Sequence, residues 1–447
     1  MAPMLTPSSS ERRAARSLPG WPPDTRNLSH LIRRRVSARG HAPFLTYFDD
    51  TTGERTEFSY ATFDNWVSKT ANLLSEEFNA GRGSRVALAV GAHWTAVVTA
   101  FACWRIGACV APVVWEQDDA APGEVVGRTR PDVVVAWEEL AADLAAQLAI
   151  PTIAIGPGFS GRLTTAAPGA FPYADEVLAF GDDFDDPDVR LDDPALLVAP
   201  THGSGASVVL DQGNLLAGAL ALEAWGELAG DDRLLSTDPL GPVDGLALCQ
   251  LGPFVAGAAS ALVRNPDPRR LARRIRDERI TWAALPSPQL DGLSKAGLDA
   301  EATPTPGGSP PNPLGRLRGF VCPTGVPPTV RDRVEAATGL RVHSGHGLVT
   351  ATCASSLDPI DLDDSTRAWL NRQGGVCAGS PTAWAQVTER DGELCVRGPV
   401  VMAGHDARPD LDAVAFADGW LHTGDQGMVI EGPDGRTYVL LQPMQLA

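Results

Sequence analysis

Three groups of residues in this chain have the type and spacing to do chemistry. A carboxylate, Asp425, stands directly after Thr423-Gly424 in the string Trp420-Leu421-His422-Thr423-Gly424-Asp425, where a tight turn would present it rigidly. The run Glu393-Leu394-Cys395-Val396-Arg397-Gly398-Pro399 upstream reads as an apolar strand ending in a turn. A Gly/Ser loop, Thr201-His202-Gly203-Ser204-Gly205-Ala206-Ser207, separates the strand Ala195–Val198 from a helix opening at Gly213-Asn214-Leu215. Three residues of such a loop suffice for a nest of backbone N–H groups, which holds an anion. Finally, His202, His343 and His346 are candidates for a metal site or for acid–base work, because imidazole both ligates metals and titrates near neutrality. The spacing His343-x-x-His346 is a loose one for metal ligands.

The elements that must position these groups follow from hydrophobic pattern. A short amphipathic helix is expected over Leu28–Arg34. The alternating runs at 43–48 and 56–60 flank Asp49-Asp50-Thr51-Thr52-Gly53 as a β-hairpin would. Apolar residues at helical spacing (Phe63, Trp66, Val67, Thr70, Leu73, Leu74) predict a helix over Thr62–Phe78. The continuous apolar run 85–90, a helix over Trp94–Ile106, and the run 108–114 after Gly107 make a parallel βαβ unit covered on both faces. Strands follow at 132–136 and 152–155. Residues 156–193, acidic and rich in Gly and Pro, read as a long surface connection. A second α/β stretch runs from Ala195 to about Val342, and short strands with turns begin after Gly374. The expected organisation is a tail over 1–26, a first α/β subdomain over 27–193, a second over 194–372, and a β-rich subdomain over 373–447.

Bulk composition narrows the classes. The net charge of −18 argues against nucleic-acid binding, which needs basic stripes to replace counterions. It also means that a bound anion must be met by local donors. Only Lys69 and Lys295 are lysines. Seven scattered cysteines, with no C-x-x-C, favour a reducing compartment over a disulfide framework, and no apolar run is long enough to span a membrane. A cytoplasmic protein is expected.

The strings at 393–399 and 418–425 resemble the adenylate-forming superfamily of AMP-dependent synthetases and ligases, which includes acyl-CoA synthetases, luciferases and peptide-synthetase adenylation domains. Gly83-Ser84-Arg85-Val86-Ala87-Leu88, Arg105-Ile106-Gly107-Ala108 and Gly257-Ala258-Ala259 fit the same order, so the resemblance covers most of residues 30–440. It implies an α/β fold with two α/β subdomains of mixed sheets flanked by helices plus the small β-rich subdomain. It also implies ATP or AMP as ligand, with Asp425 on the ribose hydroxyls. Thr201, Gly203, Ser204 and Gly205 would form the phosphate loop. Gly325 belongs to the turn beside adenine, in Gly319-Phe320-Val321-Cys322-Pro323-Thr324-Gly325, and Gly347 and Leu348 to the metal segment. The family's mobile C-terminal domain would follow residue 447, so the chain reads as the large domain without that lid.

Several reactive groups of the family are replaced. The phosphate loop is shorter than the family pattern and lacks Pro-Lys-Gly, Pro242 stands where a histidine is usual, and Gln442-Pro443-Met444 replaces the hinge. The segment His346-Gly347-Leu348-Val349-Thr350-Ala351-Thr352-Cys353-Ala354-Ser355-Ser356 matches the metal segment without gaps. It puts Val349 at the phosphate-binding threonine and Thr350 at the metal-binding glutamate. A hydroxyl does not replace a carboxylate as a hard Mg²⁺ ligand, which argues against Mg²⁺. The leading expectation is a degenerate family member that retains nucleotide or acyl-ligand binding without adenylating a carboxylic acid alone. Two alternatives stay open: an active acyl-CoA or acyl-AMP ligase that takes its lid from a protein partner, and a non-catalytic scaffold or regulatory subunit.

Overall fold

The computed structural model describes residues 25–115, 120–158, 161–185, 187–199, 205–237, 241–296, 314–322, 326–346, 349–352 and 355–442, with the backbone alone at 242, 346, 349 and 417. The βαβ unit shows how local sequence makes the frame. Helix Trp94–Ile106 is buried along its whole length, as expected of a helix with no polar stripe. It ends at Gly107, whose φ of +76° is left-handed and whose added Cβ would stand 3.3 Å from the Arg82 backbone. Glycine is therefore required where the chain turns into strand Cys109–Pro112. The one charge on the buried helix, Arg105, is met by Asp64 at 2.9 Å and Ser68 at 2.8 Å.

Two mixed sheets carry the α/β architecture and a third is antiparallel. In the eight-stranded sheet, Arg85–Ala89, Cys109–Pro112, Val133–Trp137 and Thr152–Ile155 run parallel. Strand Pro194–Val198 joins them through Val110. Val208–Asp211 then folds back antiparallel on Pro194–Val198, and Gly404–His405 closes that edge. The nine-stranded sheet is built on Arg233–Thr237, Ala259–Arg264, Trp282–Ala284, Gly319–Cys322 and Arg341–His346, all parallel. The N-terminal hairpin Pro43–Asp49/Glu54–Ser59 adds to this second sheet, Leu45 lying beside Ser260. Strand pairing therefore crosses residue 194 in both directions, and the largest apolar core draws on both sheets. The third sheet has five antiparallel strands, including Glu393–Arg397, Leu421–Glu431 and Thr437–Leu441.

Three details differ from the sequence reading. Residues 156–193 are not simply a surface connection, because Tyr173, Val177, Val189 and Leu191 are buried. Tyr173 Oη lies 2.8 Å from Thr70 Oγ1, and Asn27 Nδ2 donates to Val189 O at 2.8 Å. The first helix continues to Arg39 rather than Arg34. The expected helix over 62–78 starts at Tyr60 and loosens into a π-helical turn at Leu73–Glu77.

Candidate functional site

Two of the strands that precede the expected nucleotide segments lie side by side. Strands Gly319–Cys322 and Arg341–His346 are parallel neighbours, Cys322 beside Ser344, so both chains leave at the same sheet edge. Ligands of open α/β sheets sit outside the carboxyl ends of strands, where these chains emerge. Thr201, His202, Gly203, Ser204, Gly325, Gly347 and Leu348 lie outside the described residues. Gly205 is exposed, at the return of the hairpin formed by Pro194–Val198 and Val208–Asp211.

Helix Gln212–Gly226 organises the neighbourhood. Asp211 caps it, accepting from Asn214 N at 2.7 Å, while Asn214 Oδ1 accepts from Asp211 N at 2.9 Å. This reciprocal box satisfies end groups that a helix otherwise leaves unpaired. The Asn214 amide also donates to Pro399 O at 2.8 Å and Val401 O at 2.7 Å, which ties the turn after strand Glu393–Arg397 to the helix. One turn on, a Cβ at Gly218 would meet Thr352 Oγ1 at 3.0 Å, so glycine lets the segment around Thr350 approach closely. Val349, Thr350 and Ala351 form a 3₁₀ turn, and Thr352 follows with a φ of +51°. The Thr350 carbonyl accepts from Met402 N at 2.8 Å. Position 350 is thus fixed by backbone and packing, with its hydroxyl-bearing side chain half-buried.

Asp425 is not in the isolated tight turn read from the sequence. It lies within the eleven-residue strand Leu421–Glu431, at a bulge. Glu393 pairs with Gln426 and Cys395 with His422, so one strand advances two residues while the other advances four. The excess is taken up over Thr423–Asp425, where Gly424 has a φ of +79°. Thr423 Oγ1 donates to Leu394 O at 2.7 Å and receives Asp425 N at 3.1 Å. The Glu393 carboxylate clamps the bulge, taking Gly424 N at 2.8 Å on one oxygen and His422 Nδ1 at 2.8 Å on the other. The His422 bond, helped by the Gly424 N–H, holds the Glu393 carboxyl below the usual glutamate range. Asp425 itself is half-buried. Glu393 and His422 have no role legible in the sequence, because the clamp exists only in the paired register.

His343 sits elsewhere in character. It is buried between Trp225 and Trp282, with ring centroids 5.4 and 5.7 Å away, and burial pushes its imidazole down to about 4. It is neutral near pH 7. The side chain of His346 lies outside the described residues. Among the described residues the group able to hold a metal is instead Glu393, Cys395 and His422. Both lysines are engaged with other partners: Lys69 Nζ donates to Phe180 O at 2.6 Å and Lys295 pairs with Asp291.

Comparison with known proteins identifies the fold and the family. A protein of Mycobacterium tuberculosis, named only by a family number, is 34% identical over 248 residues, covering 54% of this chain and 90% of its own. A feruloyl-CoA synthase of an Amycolatopsis species is 26% identical over 387 residues, covering 84% of this chain and 72% of its own. The crystal structure of the N-terminal domain of FACL13 from Mycobacterium tuberculosis superposes with a TM-score of 0.76 at 19% identity, over 94% of this chain and all of that domain. At that identity the superposition establishes the fold alone. The profile of the AMP-binding enzymes matches residues 32–405, ending short of the Asp425 bulge. The chain belongs to the AMP-binding enzyme family, with acyl-CoA ligases among its relatives.

Proposed function

We propose that this protein binds an adenine nucleotide together with an acyl or small carboxylic acid ligand, and does not by itself complete adenylation of the acid. The observation that carries this reading is Thr350. Its segment keeps the family residues Gly347, Leu348, Ala351, Thr352, Cys353, Ser355 and Ser356, yet offers a hydroxyl at the metal position. The Met402 and Gly218 contacts hold position 350 in place, and we read its hydroxyl as a changed side chain on a kept frame. Asp425, retained and clamped at its bulge, is the group we assign to the ribose hydroxyls. Thr201, Gly203, Ser204 and Gly205 are assigned to phosphate through backbone N–H groups, Gly325 to the adenine side, and Gly347 and Leu348 to the segment that carries the metal position.

The chemistry follows from charge. Expulsion of pyrophosphate develops negative charge that must be neutralised, and loss of one preorganised donor costs roughly 10²–10³ in rate. The phosphate loop lacks its lysine and the metal position lacks its acid, so the triphosphate gains little over the monophosphate. Titration calorimetry with AMP and with ATP, with and without Mg²⁺, tests the binding half. AMP heat that does not depend on Mg²⁺ and reports binding weakened about 10- to 100-fold in Asp425→Ala supports it; no heat with either nucleotide overturns it. Pyrophosphate exchange across a panel of carboxylic acids tests the other half, which robust exchange by the purified chain would overturn.

A further inference from the structure

The third sheet gathers three different ligand types at one point. Glu393 and Cys395 are two apart on one strand, so their side chains leave on the same face. Cys395 stands opposite His422 on the neighbouring strand, and the bulge brings the Glu393 carboxylate over the same spot. His422 Nδ1 lies 2.8 Å from Glu393 Oε2 and 3.7 Å from Cys395 Sγ, and the three ligand atoms all fall within 4.8 Å of one another. Tetrahedral zinc, at roughly 2.3 Å to sulfur and roughly 2.0–2.1 Å to nitrogen and oxygen, separates S from N by about 3.6 Å and N from O by about 3.3 Å. The sulfur–nitrogen spacing is already in place, and the carboxylate needs to open by only about 0.5 Å from the imidazole.

We propose that Cys395 Sγ, His422 Nδ1 and Glu393 Oε2 bind a single borderline-soft divalent cation of the zinc type, with a fourth position open to solvent or a ligand. The donor set excludes magnesium, which takes oxygen ligands in octahedral geometry. It suits zinc, for which thiolate, imidazole and carboxylate are the ordinary ligands. An outer contact is already built: Glu393 Oε1 receives the Gly424 N–H, which aims the other oxygen. Without a cation Nδ1 donates to Glu393 Oε2, so metal binding must displace that proton, and His422 Nε2, buried with no protein partner among the described residues, is the nitrogen left to carry a proton in the bound form. A Glu393–His422 hydrogen bond alone would hold the bulge, yet it does not call for a thiol facing the same ring nitrogen. This site is distinct from the magnesium position of Thr350 and does not depend on the proposed function.

The test is titration of the chelator-treated full chain with Co²⁺ as the probe. One equivalent is expected to bind with a near-ultraviolet thiolate-to-cobalt charge-transfer band that Zn²⁺ displaces. The band should vanish in Cys395→Ser and persist in Cys377→Ser, with circular dichroism checking the fold of each. Glu393→Gln and His422→Gln, which keep the thiol, should each weaken Co²⁺ at least tenfold. Absence of the band in the unaltered chain, its survival in a folded Cys395→Ser, or unchanged affinity in both Glu393→Gln and His422→Gln overturns the proposal.

Discussion

The turn at Val349–Thr352 and the bulge at Thr423–Asp425 hold their positions by different means. In the first, Ala351 and Thr352 are buried, Gly218 lies against Thr352, and the Met402 N–H holds the Thr350 carbonyl. In the second, Gly424 is exposed and Asp425 half-buried, and the geometry rests on polar contacts from Glu393, His422 and Thr423. A packed turn keeps its shape whichever side chain stands at its open position. A polar clamp keeps its shape only while its charges and donors persist. The first can therefore exchange an acid for a hydroxyl without losing structure, whereas the second ties the placement of its acid to the neighbouring residues.

Variants can break that contrast. Gly218→Leu forces a side chain into the contact with Thr352 and Leu248, and overpacking of this kind costs about 1–3 kcal/mol. Urea denaturation should show that loss, while Thr350→Val should stay within about 0.5 kcal/mol of the unaltered protein. Asp425→Ala should leave stability nearly unchanged but weaken AMP by about 10- to 100-fold, the range for a hydrogen bond to a charged group. Calorimetry reads this directly. Thr423→Val removes both the donor to Leu394 O and the acceptor of Asp425 N, and should cost about 0.5–1.5 kcal/mol in thermal or urea unfolding.

The smallest effect expected is one of pH. His422 and the Gly424 N–H lower the Glu393 carboxyl in the folded protein. The clamp therefore stabilises the fold above the ordinary glutamate range, and its contribution disappears as pH falls through the lowered value. Because the pair is partly exposed, the contribution should stay below about 1 kcal/mol. Unfolding measured from neutral pH down through that range should show an acid-dependent loss in the unaltered protein that is reduced in Glu393→Gln. An identical profile in both would show that the clamp is not ionic.

What was legible in the chain was what local pattern controls. Helix Trp94–Ile106 and strand Thr152–Ile155 appear at the bounds read from the sequence, because unbroken apolar runs ended by Gly107 and flanked by turn residues leave little choice. Strand Val208–Asp211 was not read, since four residues beside a Gly/Ser loop show too little alternation to signal a strand, although its partner Pro194–Val198 is close in sequence. The placement of hairpin 43–59 beside Ala259–Arg264 is likewise a long-range choice that no local pattern encodes. Residues 156–193 look like a polar connection because Tyr173, Val177 and Leu191 are widely spaced, yet each finds a buried position. At the candidate site, Asp425 and Thr350 were legible as residue types at fixed spacing. The bulge, and with it the roles of Glu393 and His422, required the register of two strands.

The most direct measurement of the central claim is the Mg²⁺ dependence of nucleotide binding in the unaltered chain and in Thr350→Glu. If a kept frame has lost its metal ligand, the unaltered protein should bind AMP and ATP alike whether or not Mg²⁺ is present. Thr350→Glu should then acquire Mg²⁺-dependent tightening for ATP of about tenfold or more, in line with a hydrogen-bonded or metal-bound carboxylate in place of a hydroxyl. Strong Mg²⁺ dependence in the unaltered chain, unaffected by the substitution, would contradict the account.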